Sequence, residues 1–158
     1  MIVVVMGVSG AGKTTIGRLL AAQLGVPFIE GDDYHPAANV AKMASGVALE
    51  DEDRWPWLAR LNEILKEEKG AVLACSALKD SYRKRLLQGV RGARIVHLRG
   101  DKALIASRLA ERRHRYMPAS LLDSQLAALE PPEAAVAVEV AAAPDACVEA
   151  IVAALRRD

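Results

Sequence analysis

The sequence is poor in aromatic residues and carries almost no net charge. Aromatic side chains make up 4% of its 158 residues, so aliphatic side chains must form most of the core. A formal net charge of +1 excludes a global electric field that would attract nucleic acid or an anionic membrane. We therefore expect neither nucleic acid nor a membrane as a partner, and any preference for anions must be local.

Cysteine and long apolar segments are also scarce. Cys75 and Cys147 match no metal-ligand spacing, and their apolar neighbours predict buried thiols in a reducing compartment. No segment approaches the ~18 apolar residues of a membrane span. Residues 1–6 lack the basic start and the length of a signal peptide. These absences predict a cytoplasmic protein, and the chain length suits a single domain over residues 1–158.

Patterns typical of strands and helices alternate along the chain. Residues 2–6 are uniformly apolar and β-branched, which predicts a strand buried on both faces, and residues 13–24 have helical spacing of apolar residues. Further strands are predicted at residues 26–30, 71–75, 94–98 and 137–140. Two helices are predicted between the second and third strands, and others from residue 101, at 119–129 and at the end of the chain. This order predicts an α/β fold with a five-stranded parallel sheet covered by helices on both faces.

A glycine-rich turn joins the first strand to the first helix. It matches G-x-x-x-x-G-K-[ST], the phosphate-binding loop (P-loop), with the residues Gly7, Val8, Ser9, Gly10, Ala11, Gly12, Lys13 and Thr14. Glycines let backbone N–H groups approach phosphates closely, Lys13 can reach the β- and γ-phosphates of ATP, and Thr14 can ligate Mg²⁺. A plain turn would not require Lys-Thr here, and the dinucleotide pattern G-x-G-x-x-G is absent. We include Thr15 in the predicted ATP site.

The rest of the chain narrows the class of P-loop protein. No Asn-Lys-x-Asp segment for reading guanine is present, which disfavours a GTPase switch. An acidic loop at residues 31–36 and an arginine-rich segment at 112–115 instead favour a small-molecule kinase. The arginine-rich segment has no apolar periodicity and is predicted to be a mobile loop.

Short motifs in a fixed order extend over most of the chain. They are Gly31-Asp32 with His35-Pro36, Asn39, Lys42-Met43, Leu49, Asp51, Asp53-Arg54, Trp57-Leu58, residues 75–79 with Tyr82-Arg83, residues 116–118, Leu121-Leu122, Ser124-Gln125 and residues 129–131. With these motifs the sequence resembles the gluconokinases, in the shikimate-kinase and adenylate-kinase branch of the P-loop kinases. The resemblance implies a single-domain P-loop kinase fold with a small lid. It also implies Mg²⁺-assisted transfer of the γ-phosphoryl group of ATP to the terminal hydroxyl of D-gluconate.

The resemblance assigns roles to two acidic residues. Asp32, just beyond the second strand, would bind the acceptor hydroxyl and take its proton. Glu30 would hold a water of the Mg²⁺ shell. The alternative is that Glu30, Asp32 and Asp33 form only a solvated acidic loop.

Several cationic and polar side chains are candidates for binding the substrate or for belonging to the lid. Gluconate presents one carboxylate and several hydroxyls, and the matching candidates are Arg54, Lys42, Arg83, His35 and Gln125. The resemblance places adenine-stacking and lid arginines at Arg108, Arg112 and Arg115, and we assign Arg112 to catalysis. For each substrate candidate taken alone, the alternative role is a surface ion pair. For the three arginines, the alternative is a basic patch that binds nucleic acid.

Three alternative hypotheses of function remain besides gluconate phosphorylation. The acceptor could be shikimate or a nucleoside monophosphate, or the chain could bind nucleotide without catalysing transfer. The resemblance also suggests a homodimer, although no feature of the sequence sets an oligomeric state.

Overall fold

The computed structural model describes residues 1–111 and 119–157, with the backbone alone at 119 and 120. The strands are β1 (Ile2–Met6), β2 (Phe28–Glu30), β3 (Ala71–Ala74), β4 (Arg94–Arg99) and β5 (Val136–Glu139). The helices are α1 (Lys13–Leu24), α2 (Ala37–Ala44), α3 (Asp51–Glu67), α4 (Asp80–Leu86), α5 (Lys102–Glu111), α6 (Ala119–Ala128) and α7 (Pro144–Arg157), and a 3₁₀ helix spans Gly31–Tyr34.

The five strands form one parallel sheet in the order β2-β3-β1-β4-β5. The first strand lies at its centre, where Val4 pairs with Leu73 of β3 and with Ile95 of β4. Every residue of β1 is buried, as its uniformly apolar sequence predicts for a strand covered on both faces. The predicted five-stranded parallel sheet is confirmed.

Two apolar layers cover the opposite faces of this sheet. Val3 and Val5 of β1 belong to the layer formed with α1 and α7. Val4 and Met6 belong to the layer formed with α3 and α4. Because successive side chains of a strand point to opposite faces, β1 contributes to both layers, and helices lie on both faces of the sheet as predicted.

A third, smaller cluster packs α5 and α6 near the carboxyl end of β1. Its buried members are Val8, Leu78, Ile105 and Leu122. Gly10 makes this packing possible, because its φ is +87° and a Cβ at this position would lie 2.8 Å from Cγ of Leu109. The P-loop is therefore held against α5 at the point where a side chain could not fit.

Most element bounds agree with the sequence-based prediction to within one residue, with three larger differences. Helix α4 was not predicted, β2 begins at residue 28 instead of residue 26, and a 3₁₀ turn occupies part of the predicted acidic loop. The predicted mobile lid lies outside the described residues. Within the described part of the chain, no helix is long and apolar enough to cross a membrane. Cys75 and Cys147 are free and buried, as predicted.

Candidate active site

A cavity of about 430 Å³ opens at the carboxyl edge of the sheet, and we call it the edge cavity. Residues that follow three strands line it, including Lys13 after β1, Asp32 after β2 and Ser76 after β3. Open parallel sheets bind their ligands at this edge, outside the carboxyl ends of the strands. The edge cavity brings the P-loop together with several of the predicted substrate residues.

The P-loop places a cation at the amino end of α1. Nζ of Lys13 donates hydrogen bonds to the carbonyl oxygens of Gly7 and Val8, each at 3.0 Å. The ammonium group thus lies across the loop, where the helix N-terminus and the backbone N–H groups add positive potential. This is the arrangement that an anionic phosphate chain requires.

Thr14 of the P-loop and Glu30 of β2 bring two side-chain oxygens together. The Thr14 hydroxyl donates to Oε2 of Glu30 at 2.5 Å, although the two residues lie on different elements. No group of three or more His, Cys, Asp or Glu side chains that could hold a metal is found among the described residues. Mg²⁺ often takes only one or two protein oxygens and completes its shell with phosphates and water, so this pair fits Mg²⁺.

Asp32 lies on the 3₁₀ turn after β2, and its side chain is half exposed at the edge cavity. The preceding residue fixes this turn. A Cβ on Gly31 would lie 2.5 Å from the carbonyl oxygen of Ala74, and Nε1 of Trp57 donates to the Gly31 carbonyl at 2.8 Å. The close approach of β2 to β3 therefore needs glycine at position 31. This packing fixes the position of the backbone from which the Asp32 side chain extends.

His35 lines the same cavity, with a side chain that is 4% exposed. Its imidazole stacks on Trp57 with ring centroids 4.0 Å apart, and its Nε2 lies 3.8 Å from Oδ1 of Asp32. Burial lowers the pKa of His35, Arg54 lowers it further, and Asp32 opposes the shift. The imidazole is therefore neutral at neutral pH.

A cluster of charged groups centred on Tyr82 forms another wall of the edge cavity. The Tyr82 hydroxyl donates to Oδ1 of Asp51 and accepts from Nη1 of Arg54 at 3.1 Å. Nη1 of Arg54 also donates to the Leu49 carbonyl at 2.5 Å, and Nζ of Lys79 lies 3.3 Å from Asp51. The hydrogen bond from Tyr82 is the largest cause of a lowered pKa at Asp51. Only Arg54 of this cluster was predicted as a site residue, although the motifs contained the others.

Gln125 joins α6 to the P-loop. Its Oε1 accepts from the Ser9 backbone N–H at 2.7 Å, and its Nε2 donates to the Ser9 hydroxyl at 3.1 Å. The side chain lines the edge cavity, and these two hydrogen bonds attach it to the P-loop.

The structure does not bring Arg83 to the edge cavity. This residue is 6% exposed, and its guanidinium donates to the backbone carbonyls of Ala77, Leu78 and Glu130 at 2.8, 3.0 and 2.8 Å. Burial lowers its pKa below the ordinary value for arginine. This position gives no support to the substrate role expected from the sequence, because Nη1 and Nη2 are engaged by main-chain carbonyls.

Two other predicted cations have partners elsewhere. Nζ of Lys42 lies 2.7 Å from Asp53, outside the lining of the edge cavity. Nη2 of Arg108 donates to the Val140 carbonyl at 2.5 Å, which places it at the end of β5. Arg112 and Arg115 lie outside the described residues.

Comparisons with known proteins agree with this geometry. A family model described as an AAA domain matches residues 2–132. A gluconokinase from Gluconobacter oxydans is 52% identical over 133 residues, covering 82% of this chain and 75% of that protein. The chain belongs to the gluconokinase family. The thermosensitive gluconokinase of Escherichia coli is 46% identical over 135 residues, covering 83% and 72% of the two chains.

A solved gluconokinase supports the family assignment at the level of structure. The crystal structure of a gluconokinase from Sinorhizobium meliloti superposes with a TM-score of 0.92 at 45% identity, covering 98% of this chain and 91% of that chain. The resemblance that the sequence motifs indicated is confirmed. Like the gluconokinases that it matches, this chain is a kinase with the P-loop kinase fold.

Proposed function

We propose that the chain transfers the γ-phosphoryl group of ATP to the terminal hydroxyl of D-gluconate, giving 6-phospho-D-gluconate and ADP. The observation that carries this proposal is the edge cavity, which Lys13, Asp32 and Arg54 line together. A phosphate-binding cation, a carboxylate and a carboxylate-binding guanidinium are the groups that this transfer requires. The gluconokinases at 46% and 52% identity support the choice of substrate.

The nucleotide end of the reaction belongs to the P-loop. Backbone N–H groups of residues 7–14 would surround the phosphates, and Lys13 would exchange the carbonyls of Gly7 and Val8 for phosphate oxygens. Thr14 and Glu30 would hold Mg²⁺ directly or through water. When bound, this ion neutralises charge on the β- and γ-phosphates.

Asp32 is the proposed base for the acceptor hydroxyl. As the hydroxyl oxygen bonds to the γ-phosphorus, the bond from that phosphorus to the oxygen of the leaving ADP breaks, and the hydroxyl proton passes to Asp32. A half-exposed carboxylate next to the P-loop can both accept this proton and return it to solvent.

Arg54 is the proposed partner of the substrate carboxylate. Its Nη1 is engaged by Leu49 and Tyr82. Among residues 1–111 and 119–157, no hydrogen bond engages its Nε or Nη2, so a two-point contact with a carboxylate is available. Tyr82 and Leu49 hold the guanidinium in place before the substrate arrives, which lowers the entropy that binding must offset.

The remaining assignments rest on sequence resemblance. Arg108, Arg112 and Arg115 are proposed to bind the nucleotide, with Arg112 at the transferring phosphate. Closure of a lid would exclude water and limit hydrolysis of ATP. The homodimer and the cytoplasmic location stay predictions.

An acceptor screen tests the proposal directly. Purified protein with Mg·ATP would be assayed for ADP release with gluconate, other sugar acids, shikimate and nucleoside monophosphates, with the Lys13→Ala variant as a control for contaminating kinases. We expect gluconate to give turnover far above basal ATP hydrolysis. Faster turnover with shikimate or a nucleotide would replace the proposed substrate, and no acceptor-dependent turnover would favour a nucleotide-binding module.

A further inference from the structure

A buried amide lies behind the edge cavity and was given no role in the reaction above. Asn39, on α2, is 4% exposed. Its Nδ2 donates to the backbone carbonyl of Asp53 at 2.8 Å and lies 3.2 Å from Nδ1 of His35. A carbonyl oxygen can only accept, so the Asn39 atom between these two partners is the nitrogen.

The orientation of Asn39 determines which nitrogen of His35 carries the proton. One N–H of the amide points to Asp53 and the other to Nδ1 of His35, so Nδ1 must be the acceptor. A neutral imidazole with an unprotonated Nδ1 has its proton on Nε2. Burial, which lowers the pKa of His35, agrees with the neutral form.

Trp57 fixes the direction in which Nε2 points. The indole stacks on the imidazole at an interplanar angle of 17°, and its own Nε1 is bound to the Gly31 carbonyl. With one ring face on Trp57 and one edge on Asn39, the remaining polar edge of His35 faces Asp32, whose Oδ1 is 3.8 Å from Nε2. The charged groups that act on this ring are Asp32 and Arg54.

We propose that Asn39 is a positioning residue that holds His35 as its Nε2–H tautomer, so that this N–H donates to Asp32 and orients the carboxylate toward the acceptor hydroxyl. The inference rests on the proposed function for the role of Asp32. Nε2 of His35 lies 3.8 Å from Oδ1 of Asp32, and the proposal requires a rotation of the Asp32 side chain that brings the two atoms to hydrogen-bond length. One carboxylate oxygen then accepts from His35, and the other is directed at the substrate.

The tautomer can be measured without any substrate. Long-range ¹H–¹⁵N correlation spectra of the unliganded protein at pH 7.5 would be recorded, with His35 assigned by comparison with His35→Gln. We expect the proton on Nε2 in the wild type. In Asn39→Asp, whose carboxylate accepts from Nδ1, we expect Nδ1 to become protonated. A wild-type imidazolium, a wild-type Nδ1–H, or an unchanged tautomer in a folded Asn39→Asp would overturn the proposal.

Two substitutions at His35 separate the ring nitrogens and do not depend on Asn39→Asp folding. The amide nitrogen of glutamine can stand near Nε2, whereas that of asparagine stands near Nδ1. We expect His35→Gln to keep kcat for gluconate within about fivefold of the wild type, and His35→Asn to lower it by about 100-fold, the scale of one lost orienting contact. The KM for ATP should be unchanged in both.

The outcomes distinguish this inference from the proposed function. Wild-type protein without gluconate turnover would refute the proposed function, whatever the tautomer of His35. An active wild type with equal kcat in the glutamine and asparagine variants, both confirmed as folded by thermal melting, would refute the positioning role alone.

Discussion

Arg83 offers a sharp test because sequence and structure assign it different tasks. In Arg83→Met, the Ala77 carbonyl loses a donor in a buried site, which costs about 1–3 kcal/mol. The Leu78 carbonyl still accepts a hydrogen bond from the backbone N–H of Glu130 at 2.8 Å, and the Glu130 carbonyl is only partly buried. The loss of the guanidinium at each of these two carbonyls therefore costs about 1 kcal/mol or less. We expect the free energy of unfolding to fall by about 3 kcal/mol.

Thermal melting and steady-state kinetics together decide this prediction. A loss of about 3 kcal/mol lowers Tm by roughly 6–12 °C in a chain of this size. Because the guanidinium does not line the edge cavity, KM for gluconate should change by no more than about threefold, the range of an indirect effect. Lys84→Met is the matched control, since Lys84 is exposed on the same helix and pairs with Asp80 at the surface.

The result that refutes this reasoning is specific. If Arg83→Met raised KM for gluconate by about 100-fold with Tm unchanged, the arginine would be a substrate ligand and not a support for the main chain. An equal fall in Tm for Lys84→Met would show that the helix, and not the buried guanidinium, is the sensitive element.

Four further measurements test the site. Lys13→Ala should lower kcat about 1,000-fold with a smaller change in the Kd of ATP measured by calorimetry; an unchanged kcat would remove Lys13 from the transfer step. Asp32→Asn should lower kcat about 100-fold or more in the coupled assay while ATP binding is kept, and equal losses of both would contradict its role as base. Arg54→Lys should raise KM for gluconate about 10-fold or more, because the two-point contact is lost; a rise in KM for ATP instead would show that Arg54 acts on the nucleotide and not on the gluconate carboxylate. Burial raises the pKa of Cys75 to about 12, so at pH 8 its thiol stays protonated and intact-mass analysis should show alkylation by iodoacetamide only after unfolding; rapid labelling of the native protein would contradict this.

The regular elements were predictable because their apolar patterns are local. The buried run of β1 and the spacing of Ile16 and Leu20 in α1 are readable within a few residues of sequence. The P-loop was predictable for the same reason, since its phosphate chemistry requires particular residue types at fixed spacing within eight positions.

Helix α4 and the task of Arg83 were not predictable from local patterns. This seven-residue helix buries a charged residue, Arg83, beside Tyr82 and Leu86, so its apolar stripe is interrupted. One carbonyl that Arg83 binds belongs to Glu130, 47 residues away. Spacing along the chain cannot reveal whether an arginine meets a substrate or distant main chain, and the same holds for the buried amide of Asn39.

The hydrogen bonds between Gln125 and Ser9 have a consequence for biosynthesis. They join residues 116 positions apart, so the P-loop lacks one of its backbone partners until residue 125 has left the ribosome. At typical translation rates this delay is roughly 6–23 s. Strand β1 also waits for its neighbours β3 and β4, and the nucleotide loop is completed only when α6 emerges.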